Sequence, residues 1–225
     1  MQTANIKGIV SLTSWKARIR GVDKTIFSII KACPGFRVAL TLSEEEFPKK
    51  EAELPQSLRM MADHGVIDLI WCFKNYKPYK KIIFAMEKYP ELPIISADDD
   101  CLYKYNYAEE LFNRWGGNRK CIVSETMSDG IPFGYATLHP PMAYDTGYLK
   151  RIADYCLPRH SYHDDLMYTM YARRHGIDIV SLWHTLPEVV KFHNGAGGLI
   201  AERYKHHNDV AVMNEAFRVL TYSHG

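Results

Sequence analysis

Pro93-Ile94-Ile95-Ser96-Ala97-Asp98-Asp99-Asp100-Cys101-Leu102-Tyr103 is the stretch on which the reading of this 225-residue chain turns. An apolar run of strand length, residues 92–97, leads straight into three carboxylates. Adjacent carboxylates repel one another and are costly to desolvate, so at the end of a buried strand they need a cation or strong hydrogen-bond donors nearby. If strand geometry continues, Asp98 and Asp100 fall on the same side. Oxygen ligands of this kind suit magnesium or manganese. An acidic triplet in isolation is more often a solvated turn; here the strand in front favours a metal site, because ligands of open α/β sheets lie beyond the carboxyl ends of strands.

Upstream of this segment, strand-like and helix-like stretches alternate. Residues 8–12 form a short β-branched run closed by Thr13 and Ser14, and residues 22–32 carry helical apolar spacing stopped by Pro34-Gly35. Residues 37–42 and 66–72 read as strands and residues 80–88 as a helix. Ser43 and Glu46 have the spacing of a capping box, although Phe47-Pro48 follows closely. The alternation predicts a three-layer α/β/α sandwich with a mainly parallel central sheet.

Downstream the pattern loosens. Residues 109–115 read as a helix ended by Gly116-Gly117, residues 121–125 as extended, and residues 128–148 as an irregular stretch rich in Gly, Pro and aromatics. A second strong helix covers residues 164–175, stopped by Gly176, with a strand over residues 177–182. The expectation is one domain spanning 1–225, with a nucleotide-binding half at about 1–105 and an acceptor-side half at about 106–225.

Composition narrows the class. With 28 Lys and Arg against 26 Asp and Glu the formal charge is +2, which gives no electrostatic footprint for nucleic acid. The content of 47% hydrophobic and 24% charged residues is that of a globular chain. Five scattered cysteines without a C-x-x-C pair fit a reduced setting better than a zinc ribbon. Without a signal-like or membrane-spanning stretch, the expected location is cytoplasmic, with peripheral contact at the inner face of the membrane left open.

At Asp98-Asp99-Asp100 and Ile9-Val10-Ser11-Leu12-Thr13-Ser14 the chain resembles the glycosyltransferases of the GT-A fold, close to the family 2 type. These carry a D-x-D motif at the end of the fourth strand and cup the nucleotide base with the first strand and loop. The resemblance covers most of residues 6–195 and is strongest as far as Tyr103. It implies a nucleotide diphosphate sugar donor, with a uridine nucleotide as the first choice, and a glycan or lipid-linked acceptor. It also implies Mn2+ or Mg2+ held by Asp100 and Asp98, with His193 completing the metal shell. Ser11, Thr13, Asp98 and Asp99 fall on its donor-binding side.

The same resemblance places an acidic base at the start of a late helix in inverting enzymes, and His163-Asp164-Asp165 stands there. Asp165, the second acid, is the expected base, with Asp164 beside it; the competing role for such a pair is a helix N-cap. Lys80 and Lys81 precede the helix before the D-x-D strand, within reach of donor phosphate, although solvated lysines are common there. Trp15, Arg18 and Arg20 offer stacking and charge to a nucleotide. Gly195, Gly197 and Gly198 would let backbone amides approach a phosphate. Tyr135, His139, Tyr144 and Asp145 form a candidate acceptor segment. Three rivals remain: an aspartyl-nucleophile phosphohydrolase, which fits poorly, a nucleotidyltransferase, and a non-catalytic carbohydrate binder on a decayed transferase scaffold.

Overall fold

In the computed structural model the described residues are 6–128, 130–182, 189–191 and 209–221. The first half runs β1 (Gly8–Thr13), α1 (Val22–Ala32), β2 (Phe36–Ser43), α2 (Gln56–Asp63), β3 (Ile67–Cys72), α3 (Lys80–Lys88) and β4 (Ile94–Ala97). The second continues with β5 (Cys101–Tyr103), α4 (Tyr107–Trp115), β6 (Cys121–Ser128), β7 (Ile131–His139), α5 (Thr146–Cys156), α6 (Asp164–Arg174), β8 (Asp178–Ser181), β9 (Val189–Lys191) and α7 (Asp209–Thr221). Seven strands make one sheet in the order β3-β2-β1-β4-β7-β6-β8, and β5 pairs with β9 in a separate ribbon.

Within the large sheet β1, β2, β3 and β4 are parallel, and β7 alone runs against its neighbours β4 and β6. β8 pairs parallel with β6. Both halves of the chain therefore contribute strands to one sheet. Successive residues of a strand point to opposite faces, so Val10, Leu40, Ile95 and Val123 enter one core while Ile9, Ala39, Ile94 and Ile122 enter the other. The first core is covered by α1, α2 and α4, the second by α3, α5, α6 and α7. Burial on both faces is why these strands read as continuous apolar runs. The mainly parallel three-layer sandwich expected from the sequence is what the chain forms.

Local differences have physical causes. Ser43 and Glu46 do not cap a helix: the Ser43 hydroxyl meets the Glu46 carboxylate at 3.3 Å inside a turn, and the next α-helix waits until Gln56, after Pro55. Pro48 removes a backbone donor where a first helical turn would have to form. The stretch 128–148, read as irregular, holds the nine-residue β7 and the first residues of α5. Ser128 pairs with Ile131 across a two-residue connection in which Gly130 takes φ +73°. An Asp-Gly dipeptide between strands is a hairpin signal in its own right. Among the described residues no helix is long and apolar enough to cross a membrane.

Candidate functional site

The parallel strands end together, and the acid triplet leaves β4 at that end. Its three carboxylates separate. Asp99 turns inward, with one oxygen accepting from the Ser14 hydroxyl at 2.6 Å and the other from the Arg18 guanidinium at 2.8 Å. Its backbone carbonyl accepts from the Thr25 hydroxyl on α1 at 3.0 Å. Arg18 also reaches Asp100 at 3.2 Å. The guanidinium thus supplies the positive charge that three adjacent carboxylates require, from the loop after β1. Arg18 was a nucleotide-contact candidate; its head group is instead engaged by the triplet.

Asp98 and Asp100 offer carboxylate oxygens that lie, together with the Cys101 thiol, within 4.8 Å of one another. Asp98 is partly exposed and Asp100 buried. Two hard oxygen donors at that separation fit magnesium or manganese. The segment is held open by Tyr103, whose hydroxyl accepts the Asp98 backbone N–H and donates to the Tyr135 carbonyl, both at 3.0 Å.

Across from Asp98 stands the start of α6. Asp164 and Asp165 are its first two residues, and the N-cap is His163, so neither acid is a cap. Asp164 is buried and meets the Lys81 ammonium at 3.0 Å. Burial opposes ionisation of Asp164, but the adjacent lysine overrides it and holds the carboxyl below the ordinary carboxylate range. Burial likewise opposes the charge on Lys81, and Asp164, Asp98 and Asp165 together raise it well above the usual lysine value. Lys81 also approaches Asp98 at 3.8 Å.

These groups line a cleft of about 90 Å³ formed by Lys81, Ser96, Asp98, Tyr135, Thr137, Asp164 and Asp165, with Pro132 and Ala136. Its floor is the β4–β7 seam, where the Ser96 hydroxyl accepts from the Thr137 N–H at 3.1 Å. A β-bulge in β6 at Ser124 to Thr126 places the buried Glu125 carboxylate on the Tyr135 N–H at 2.5 Å, fixing Tyr135 at the rim.

Of the sequence candidates, Asp98, Asp164 and Asp165 meet in the cleft, and Asp100 stands beside Asp98. Lys80 does not line it: its ammonium donates to the Asn75 side chain at 3.0 Å and faces Glu46 at 3.8 Å, and burial lowers its pKa. The neighbouring Lys81 takes the place in the cleft. The hydroxyls of Ser11 and Thr13 are engaged by the Lys81 and Thr41 carbonyls. His139 and Tyr144 lie buried behind the cleft, His139 Nδ1 sharing a 2.7 Å hydrogen bond with the Tyr144 hydroxyl. Asp145 caps α5, accepting from the Tyr148 N–H at 2.9 Å. His193 and Gly195, Gly197 and Gly198 fall outside the described residues.

Ser96, Thr137 and Glu125 were not foreseen. A small polar residue inside an apolar strand, as at Ser96, is the one signal in the sequence for a seam facing a polar cleft.

The chain matches no protein-family profile, and no curated protein sequence is significantly similar to it. Its structure is similar to glucosyl-3-phosphoglycerate synthase from Mycobacterium tuberculosis, crystallised with Mn2+, uridine diphosphate and glucosyl-3-phosphoglycerate. That likeness has a TM-score of 0.56 and 9% identity over 93% of this chain and 80% of that one. It is similar also to the mannosyltransferase PcManGT from Pyrobaculum calidifontis, crystallised with GDP-Man and Mn2+, with a TM-score of 0.53 and 14% identity over 94% of this chain and 64% of that one. A third likeness, to the glycosyltransferase GlyE of Streptococcus pneumoniae TIGR4, has a TM-score of 0.49 and 16% identity over 80% of this chain. The chain spans less than two thirds of PcManGT and under half, 46%, of GlyE. Its architecture is the GT-A fold of nucleotide-diphospho-sugar transferases.

Proposed function

We propose that the cleft transfers a glycosyl group, with inversion, from a uridine diphosphate sugar to a hydroxyl of a glycan or lipid-linked acceptor. The observation that carries this reading is the meeting, in one cleft of the GT-A fold, of Asp98 at the end of β4, with Asp100 beside it, and an acid pair at the start of α6. Asp98 and Asp100 would hold a divalent cation, manganese or magnesium; such a cation neutralises charge on a departing diphosphate. Two of the fold's relatives were crystallised with Mn2+ and a nucleotide or nucleotide sugar.

The chain's own residues divide the remaining work. Asp165, the less buried acid of its pair, takes the proton of the acceptor hydroxyl as the new bond forms. Asp164 stays ionised against Lys81 and serves α6 rather than the acceptor. Asp99, held by Ser14 and Arg18, anchors the triplet. Tyr135 supplies a ring at the rim on which a sugar face can rest. The setting that fits this reading is a cytoplasmic protein acting on soluble or membrane-presented acceptors.

A thermal-shift panel of nucleotide sugars with and without manganese tests the proposal. Stabilisation by a uridine diphosphate sugar only when manganese is present supports it. Stabilisation by nucleoside triphosphates alone would move the chain to nucleotidyl transfer.

A further inference from the structure

Lys81 is the one described cation that touches both acidic segments of the cleft, at 3.0 Å from Asp164 and 3.8 Å from Asp98. It sits in the first turn of α3 with its own carbonyl accepting the Ser11 hydroxyl of β1. The N-terminal ends of α3 and α6 are tied to each other as well. The Tyr79 hydroxyl donates to the Ser161 carbonyl just before α6, and the Tyr168 hydroxyl on α6 donates back to the Tyr79 carbonyl, each at 3.0 Å. Every residue of α6 from Leu166 to Ala172 is buried. The body of the helix is therefore fixed by packing, and its first turn is the part that electrostatics must hold. Removing Lys81 would leave a buried carboxylate without its counter-charge, which a carboxylate escapes by taking a proton or moving to water. Either would displace the turn that carries Asp165.

We propose that Lys81 is a positioning residue: through Asp164 it sets the acid pair of α6 against the end of β4. The proposal deepens the transferase reading and rests on it. It also separates Lys81 from the phosphate-binding part suggested by its place in the sequence, because its ammonium is already engaged by two carboxylates.

The test is a double-mutant cycle in the full chain with Lys81→Met, Asp164→Asn and the combined variant. It reads turnover of the uridine diphosphate sugar, UDP affinity with manganese by titration, and melting temperature without nucleotide. Each single substitution is expected to lower kcat about tenfold or more, as misplacement of a reacting group does, with KM and UDP affinity held within about threefold. The combined variant should lose no more turnover than the worse single variant, and should melt above Lys81→Met because no unpaired buried charge remains. Two results would overturn the proposal: UDP affinity falling in Lys81→Met by the factor that turnover falls, or losses that simply multiply in the combined variant. If the unsubstituted chain binds no nucleoside diphosphate with manganese, the transferase reading fails by itself; the melting cycle still decides whether Lys81 and Asp164 act as a pair.

Discussion

The two acidic segments of the cleft solve the same electrostatic problem with different chemistry. At the end of β4, Arg18 from a loop bridges Asp99 and Asp100, and its planar guanidinium holds the cluster together. At the start of α6 the counter-charge is Lys81, a point charge reaching out from α3. In each segment one acid is turned inward and paired, Asp99 on one side and Asp164 on the other. Asp98 on one side and Asp165 on the other line the cleft beside them. Under the proposed function two adjacent acids are not redundant: the paired one anchors the other.

The largest effect expected from breaking this arrangement is at Asp165. Asp165→Asn should lower turnover by about a hundred- to ten-thousand-fold while donor affinity stays near that of the unsubstituted protein, as steady-state kinetics beside a binding titration would record. Near-normal turnover would move the base elsewhere. NMR assignment of the product anomer checks inversion separately.

Next comes Arg18→Met, which leaves Asp99 buried beside no guanidinium. Breaking a buried pair from one side costs about 3–5 kcal/mol, so chemical denaturation should show a loss of that order. A loss no larger than that of an exposed ion pair would mean that the triplet does not depend on Arg18. Ser14→Ala removes the short hydroxyl bond to the same carboxylate and should cost about 1.5–3 kcal/mol, measured in the same way.

A pH dependence sharpens the contrast between the two counter-charges. Burial, then the charge of Lys81, pushes the His139 pKa down to about 3. An unfolded histidine takes up a proton near pH 6.5, so between pH 6.5 and about 3 the unfolded chain binds the proton that the folded chain refuses. The His139 contribution to stability is then lost as pH falls through that window, by at most about 1.4 kcal/mol per pH unit. His139→Phe should flatten that part of a denaturation-versus-pH curve. An unchanged slope would show that His139 does not set it. The Lys81–Asp164 pair fails later, below the ordinary carboxylate value, as Asp164 is protonated.

How far the sequence could be read follows from the same physics. α1 and α3 begin and end where their apolar spacing and flanking signals say, and β1 to β4 appear as apolar runs because both faces are covered. β7 was hidden. Its Pro132, Gly134 and aromatics have the composition of a loop, and only its pairing with both β4 and β6 makes it a strand. That Asp98 and Asp100 follow a strand and that Asp164 and Asp165 open a helix was legible, since strand ends and helix starts can be located without tertiary structure. The choice between Lys80 and Lys81 could not be made that way: adjacent helical residues point about 100° apart, and which one meets the cleft depends on how α3 lies on the sheet. The pairing of Asp99 with Arg18 joins residues 81 positions apart, and no local pattern announces it.

The proposed function requires the carboxylate pair at the end of β4 to hold a cation for a nucleoside diphosphate. Isothermal titration of UDP into the protein, with manganese and with chelator, measures this directly in the unsubstituted chain and in Asp100→Ala. The expected result is affinity that appears only with manganese and falls in Asp100→Ala by more than the roughly 10- to 100-fold seen when a mere supporting partner of a metal ligand is lost. Equal UDP affinity with manganese and with chelator would contradict the account.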